Sequence, residues 1–159
     1  MDFAHKSWWQ IFEIVFGIPF IAAIILQKAI PISIPPYLTI ARIIFGIALI
    51  SVGVFLVINA RRELAQHMQP TDPGLPTTTI VITGIFSISR NPLYLGGVSV
   101  LAGIALLFNW PWVLLFLLPA IIACHYILIA PEEKYLAGKF GNEYINYSSS
   151  VRRWIGRIH

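Results

Sequence analysis

Two short clusters of polar residues sit at the two ends of a long charge-free stretch. Arg90, Asn91 and Tyr94 stand at its start, and Glu132 and Glu133 just beyond its end. From Asn91 to Pro131 there is no Asp, Glu, Lys or Arg. A guanidinium binds anions, a carboxylate binds cations or takes a proton, and a phenol can donate or accept. Gathered into one pocket, such groups can hold a charged small molecule and assist a proton transfer. The same residues also have a plainer reading: Glu132 and Glu133 as first-turn charges favoured by a helix dipole after Pro131, Arg90 as a membrane-side anchor and Tyr94 as an interfacial aromatic.

The chain has 159 residues, 57% of them hydrophobic and 11% charged. Soluble domains carry about 25% charged residues. A chain of this length has too little interior to hide that much apolar surface, so lipid is the expected solvent. The expectation is a single all-α membrane domain over residues 1–159, with about four transmembrane helices. A span needs roughly 20 apolar residues. The spans are expected at about 8–26, 37–60, 93–108 and 112–130. Trp8 and Trp9 mark the entrance of the first, read as a retained span and not a cleaved signal peptide. The Pro-rich stretch from Pro31 to Pro36 turns the chain, and Asn109-Trp110-Pro111 breaks the charge-free stretch into a tight hairpin.

That hairpin brings Arg90–Tyr94 beside Glu132–Glu133. The β-branched run from Thr77 to Thr83 reads as extended chain. Past Glu132 the pattern is an amphipathic cytoplasmic helix, with Leu136, Phe140, Tyr144 and Tyr147 on one face, weakened by Gly138 and Gly141. It either lies on the membrane or lids a pocket. Arg152, Arg153 and Trp154 read as an interface anchor.

With the N-terminus inside, Lys6, Arg61, Arg62, Arg90, Lys134, Lys139, Arg152, Arg153 and Arg157 all fall on the cytoplasmic side, and Lys28 falls outside. This bias predicts a multi-pass inner-membrane protein with both termini cytoplasmic. The net charge of +4 is read through this bias and not as a nucleic-acid footprint. Glu13 and Arg42 are expected to snorkel to opposite interfaces. His125 is a candidate tunnel residue or a packed hydrogen-bonding one. Cys124 reads as a small buried hydrophobe. No metal-ligand spacing occurs.

The string SRNPLYLGG (Ser89 to Gly97), followed after one hairpin by PEEKYLAGKFGNEYINY (Pro131 to Tyr147), resembles the isoprenylcysteine carboxyl methyltransferase and phospholipid methyltransferase families. Their pattern is R-[HN]-P-x-Y-x-G, then E-E-x-x-L and F-G-x-x-Y-x-x-Y, and PTTTIVITGIF (Pro76 to Phe86) resembles the segment before it. The resemblance covers about Pro70 to Trp154. It implies methyl transfer from S-adenosylmethionine to a lipophilic acceptor. It further implies a cofactor site in segments 76–94 and 131–147, with Thr78, Thr79, Ile80, Val81, Phe86, Asn91, Tyr94 and Glu132 binding the cofactor. Arg90, Tyr94 and Glu133 are the expected catalytic residues.

Two positions depart from the prenylcysteine pattern: Asn91 stands where those enzymes have His, and Leu128 where eukaryotic ones have Arg. Two rival functions remain at this stage. One is an NADPH-dependent reductase of the sterol-reductase type, and the other is a non-catalytic membrane partner protein. The acceptor atom and the oligomeric state are not legible.

Overall fold

The computed structural model describes residues 11–70 and 77–158. Trp8, Trp9, Lys6, Pro73, Gly74 and Pro76 lie outside the described residues. Within them the chain is helical: α1 (Phe12–Ala29), α2 (Thr39–Gln66), α3 (Pro92–Leu107), α4 (Pro111–Cys124), α5 (Ala130–Phe140) and α6 (Asn142–Ser150). Thr77–Thr83 is non-helical, as its β-branched run requires, and one 3₁₀ turn (Gly84–Ser87) leads towards α3.

Among the described residues three stretches are long and apolar enough to cross a membrane: Phe12–Ala29, Pro36–Gln66 and Pro111–Phe140. The helix at α3 is apolar but has only 16 residues. At 1.5 Å per residue that is about 24 Å, against a hydrocarbon core of about 30 Å. A helix ending at that depth leaves carbonyls that water does not reach. Arg42 resolves this. Its guanidinium donates to the carbonyls of Leu106 and Leu107, the latter at 2.7 Å. Arg42 is therefore not merely snorkelling to its own interface; it caps the end of its neighbour.

The turn after α3 is held by side chains. Asn109 has φ +56°, a left-handed conformation that asparagine tolerates. Its Oδ1 accepts from the Ile34 N–H at 2.8 Å, and the Trp112 indole donates to the Ile30 carbonyl at 2.8 Å. The α1–α2 loop and the α3–α4 turn thus meet at one end of the bundle. The opposite ends of all four helices are left facing the polar segments.

The expected break between the fourth span and the tail helix does not occur. Helix α4 runs through a π-helical turn (His125–Ile129) into α5 without interruption. The cause is Pro131, which has no N–H and whose ring would clash with the carbonyl four residues back, that of Ile127. Widening the turn to π geometry relieves this clash. The break falls instead at Gly141, whose φ of +54° suits glycine, so the single tail helix expected is two. Helix α2 also runs past the expected end of its span, to Gln66.

Packing is most extensive between α2 and α3, then between α1 and α4. The α1–α4 core is Val15, Phe16, Leu117, Ala120, Cys124, Leu128 and Ile129. Cys124 is fully buried with a free thiol, as its apolar surroundings suggest. Leu128 points into this core.

The α2–α3 seam depends on glycine. A Cβ on Gly53 would sit 2.6 Å from the Gly96 carbonyl oxygen and 2.9 Å from the Val100 nitrogen, both backbone atoms that cannot step aside. Alanine gains about 1 kcal/mol of helix propensity, but overpacking costs about 1–3 kcal/mol. Gly53→Ala is therefore expected to lower the thermal unfolding midpoint in detergent. Gly17→Ala, where an added Cβ meets nothing within 4 Å, is expected to leave the midpoint unchanged or raise it. Equal effects from the two would contradict the seam.

Candidate functional site

At the polar end of the bundle the helices enclose a cavity of about 370 Å³. Small-molecule sites span about 300–1,000 Å³. Tyr94, one turn into α3, reaches across to α5, and its hydroxyl donates to Glu132 Oε2 at 3.1 Å. The hairpin thus joins the two clusters the sequence brings together.

The adjacent carboxylate is differently placed. Arg90 Nη1 lies 3.1 Å from Glu133 Oε1. Arg153 binds Glu133 with both prongs, Nε to Oε1 at 2.9 Å and Nη2 to Oε2 at 2.7 Å. Both oxygens of Glu133 are therefore occupied by guanidinium donors, while the residue still lines the cavity. These hydrogen bonds raise the Arg153 pKa above its usual value, so its charge persists. Arg153 is not the interface anchor expected, and Trp154 packs against the α1–α4 core. Arg90 has one buried donor, Nε, with no partner among the described residues.

The extended segment forms another wall through Thr79, Ile80 and Val81, followed by Phe86. It is hung from Gln69, which is 7% exposed. Gln69 Oε1 accepts from the backbone N–H groups of Thr78 (2.8 Å) and Thr79 (3.2 Å), and its Nε2 donates to Thr78 Oγ1 at 2.7 Å. All the expected site residues line the cavity except Thr78, whose side chain is turned to Gln69. Asn91 lines it too, but its amide nitrogen is spent on the Arg153 carbonyl at 3.0 Å. His125 lies outside the cavity walls, and so does Leu128.

Several walls were not expected. Helix α1 contributes Phe12 and Glu13, α2 contributes Val57, Arg61 and Leu64, and Tyr135 is added from α5. The tail folds over the top. The Tyr147 hydroxyl donates to the Phe86 carbonyl at 2.7 Å, the Arg90 N–H to the Arg152 carbonyl at 3.2 Å, and the Gly156 N–H to the Ile88 carbonyl at 2.8 Å. The aromatic face of the tail is turned inward: Tyr144 and Tyr147 are buried and pack with Ile80, Leu136 and Phe140. It lids the pocket. The one available signal was the spacing of those aromatics. Gln69 and Arg153 carry none, because no local pattern ties either to its partner.

Burial raises the pKa of both Tyr144 and Tyr147, and Glu133 adds to the rise at Tyr144. A raised phenol stays protonated in the folded chain while the unfolded chain ionises near its ordinary value of about 10. The stability these groups contribute is fully present below that pH and is lost as pH rises through the folded-state pKa. A stability profile in detergent should fall on the alkaline side above pH about 10. Tyr147→Phe should lower neutral stability by about 1 kcal/mol through the lost bond to Phe86 and make the alkaline fall shallower. An unchanged alkaline slope would show that Tyr147 is not the titrating group.

The family model for phospholipid methyltransferase matches residues 41–143, well over half of the chain. No curated protein and no solved structure matches it. The matched region contains Tyr94, Glu132, Glu133 and Arg90, and its long apolar helices suit a lipid solvent. The chain is an integral membrane protein that belongs to the phospholipid methyltransferase family.

Proposed function

We propose that this protein transfers a methyl group from S-adenosylmethionine to a lipophilic acceptor that reaches the cavity from the bilayer. The observation that carries this reading is the Tyr94–Glu132 pair, set in a cofactor-sized cavity while Glu133 is neutralised by two arginines. S-Adenosylmethionine supplies an activated methyl group on a positively charged sulfur. The residues present fit such a molecule. Glu132 offers a carboxylate to its positive groups, in surroundings where charge pairing is stronger than in water. The unpartnered Arg90 Nε suits a carboxylate. Thr79, Ile80 and Val81 offer backbone donors and acceptors, and Phe86 and Tyr94 offer ring faces to a base or a cation.

The work left to the chain is largely alignment. Holding acceptor and donor in register is worth effective molarities of about 10⁵ M or more. A carboxylate acceptor needs no base, whereas an amine has to be neutral, and the Tyr94–Glu132 pair is the nearest proton acceptor. Glu133 acts through Arg90, as a positioning residue. Arg61, Arg62, Lys134, Lys139 and Arg157 share the cavity end of the chain's helices and tail, a bias that by the positive-inside rule supports a cytoplasmic location for this end and both termini at an inner membrane. Leu128, buried in the helical core, offers no cation to a prenylcysteine carboxylate.

Titration calorimetry of purified protein with S-adenosylhomocysteine is expected to give saturable binding. Glu132→Gln should weaken binding about ten-fold or more, the worth of one charged hydrogen bond. NADPH should not compete. Incubation with methyl-labelled cofactor and total membrane lipid should yield a labelled lipid. Absence of both binding and label, or displacement by NADPH, would overturn the reading.

A further inference from the structure

Among the described residues helices α1 and α2 have no extensive packing with each other: α1 rests on α4 and α2 on α3. The cavity reaches both of them, at Phe12 and Glu13 on α1 and at Val57 and Arg61 on α2. Between them its floor is Gly97 of α3. This stretch of wall is the candidate doorway for a bilayer-borne molecule to reach Tyr94 sideways.

One side of the doorway is a ladder of three rings. Phe16 is stacked on Phe12 with centroids 4.4 Å apart, and Phe12 on Tyr94 at 6.3 Å with the planes inclined by 20°. Phe16 is 2% exposed and locked in the core, so Phe12 is backed by a fixed surface. On its other side the Phe12 ring lies so close to Gly97 that an added Cβ there would overlap it. Phe12 is thus held from two sides, with its ring next to the phenol that contacts Glu132.

We propose that Phe12 is a specificity-determining residue that limits the bulk of the acceptor beside its reacting group. Gly97 leaves room for the ring to lie flat, and Phe16 prevents it from retreating. An acceptor with one slender apolar chain next to the reacting atom passes between Phe12 and Val57, and one branched or doubly substituted at that point does not. The proposal rests on the methyltransferase reading above.

The test uses full-length protein in detergent, methyl-labelled S-adenosylmethionine and a total membrane lipid extract, with labelled products separated by mass. Phe12→Ala should raise the share of bulky labelled products about ten-fold, as expected for removing steric discrimination in an apolar pocket. Phe12→Leu should stay near wild type. Gly97→Ala should push the ring into the doorway and depress turnover while S-adenosylhomocysteine still binds. The Phe12→Ala/Gly97→Ala double variant should recover that turnover, because the clash needs both groups.

An unchanged product spectrum in Phe12→Ala, additive losses in the double variant, or loss of S-adenosylhomocysteine binding in Phe12→Ala would each overturn the filter. Wild-type protein that labels no lipid and binds no S-adenosylhomocysteine would overturn the methyltransferase reading itself. That result is distinct from a labelling enzyme whose variants do not differ.

Discussion

Glu133 lies between two guanidiniums, Arg90 from the start of α3 and Arg153 from the tail. A carboxylate this sheltered, 18% exposed in its side chain, is costly unless it is paired and its lone pairs are satisfied. Here it is, and in meeting its requirement it fixes three separate pieces of chain. Arg90 is pulled against α5, the tail is pinned over the cavity, and Asn91 is brought to the Arg153 carbonyl. Neighbouring residues on a helix diverge by about 100°. Anchoring Glu133 outward to the arginines therefore leaves Glu132 directed at Tyr94. Two identical residues, adjacent in sequence, acquire different work from their partners.

The π turn serves the same arrangement. Pro131 rules out a regular helical turn before it, yet a full break would have freed α5 from the bundle. By widening the turn, the chain keeps α4 and α5 continuous and holds the carboxylates on an extension of the helix that packs against α1. The apolar core formed by Leu117, Ala120, Cys124, Leu128 and Ile129 against α1 is what anchors that extension.

Much of this was legible in the sequence, for reasons of connectivity. Asn109-Trp110-Pro111 is too short to let α3 and α4 separate, so Arg90–Tyr94 had to meet Glu132–Glu133. The non-helical character of Thr77–Thr83 follows from β-branching. The tyrosines of the tail declared a buried face by their spacing, but not which of two surfaces buried it. What was not legible depends on pairings that no local pattern announces. Nothing around Gln69 announces that it will hold Thr78 and Thr79. Arg153 sits in a basic cluster that reads equally well as a membrane anchor. Pro131 reads as a helix start, and only the packing of residues on both sides of it makes a π turn cheaper than a stop.

Arg42 shows why α3 can be short. An apolar helix of 16 residues is short for a bilayer, and its last carbonyls would strand in lipid without a donor. With Arg42 supplying that donor from α2, α3 can end early. Its other end then begins at Pro92, within reach of α5. A longer α3 would carry Arg90 and Asn91 out towards water and away from Glu133. The shortness of one helix, made tolerable at its far end by a borrowed arginine, keeps Tyr94 within hydrogen-bond reach of Glu132 on α5.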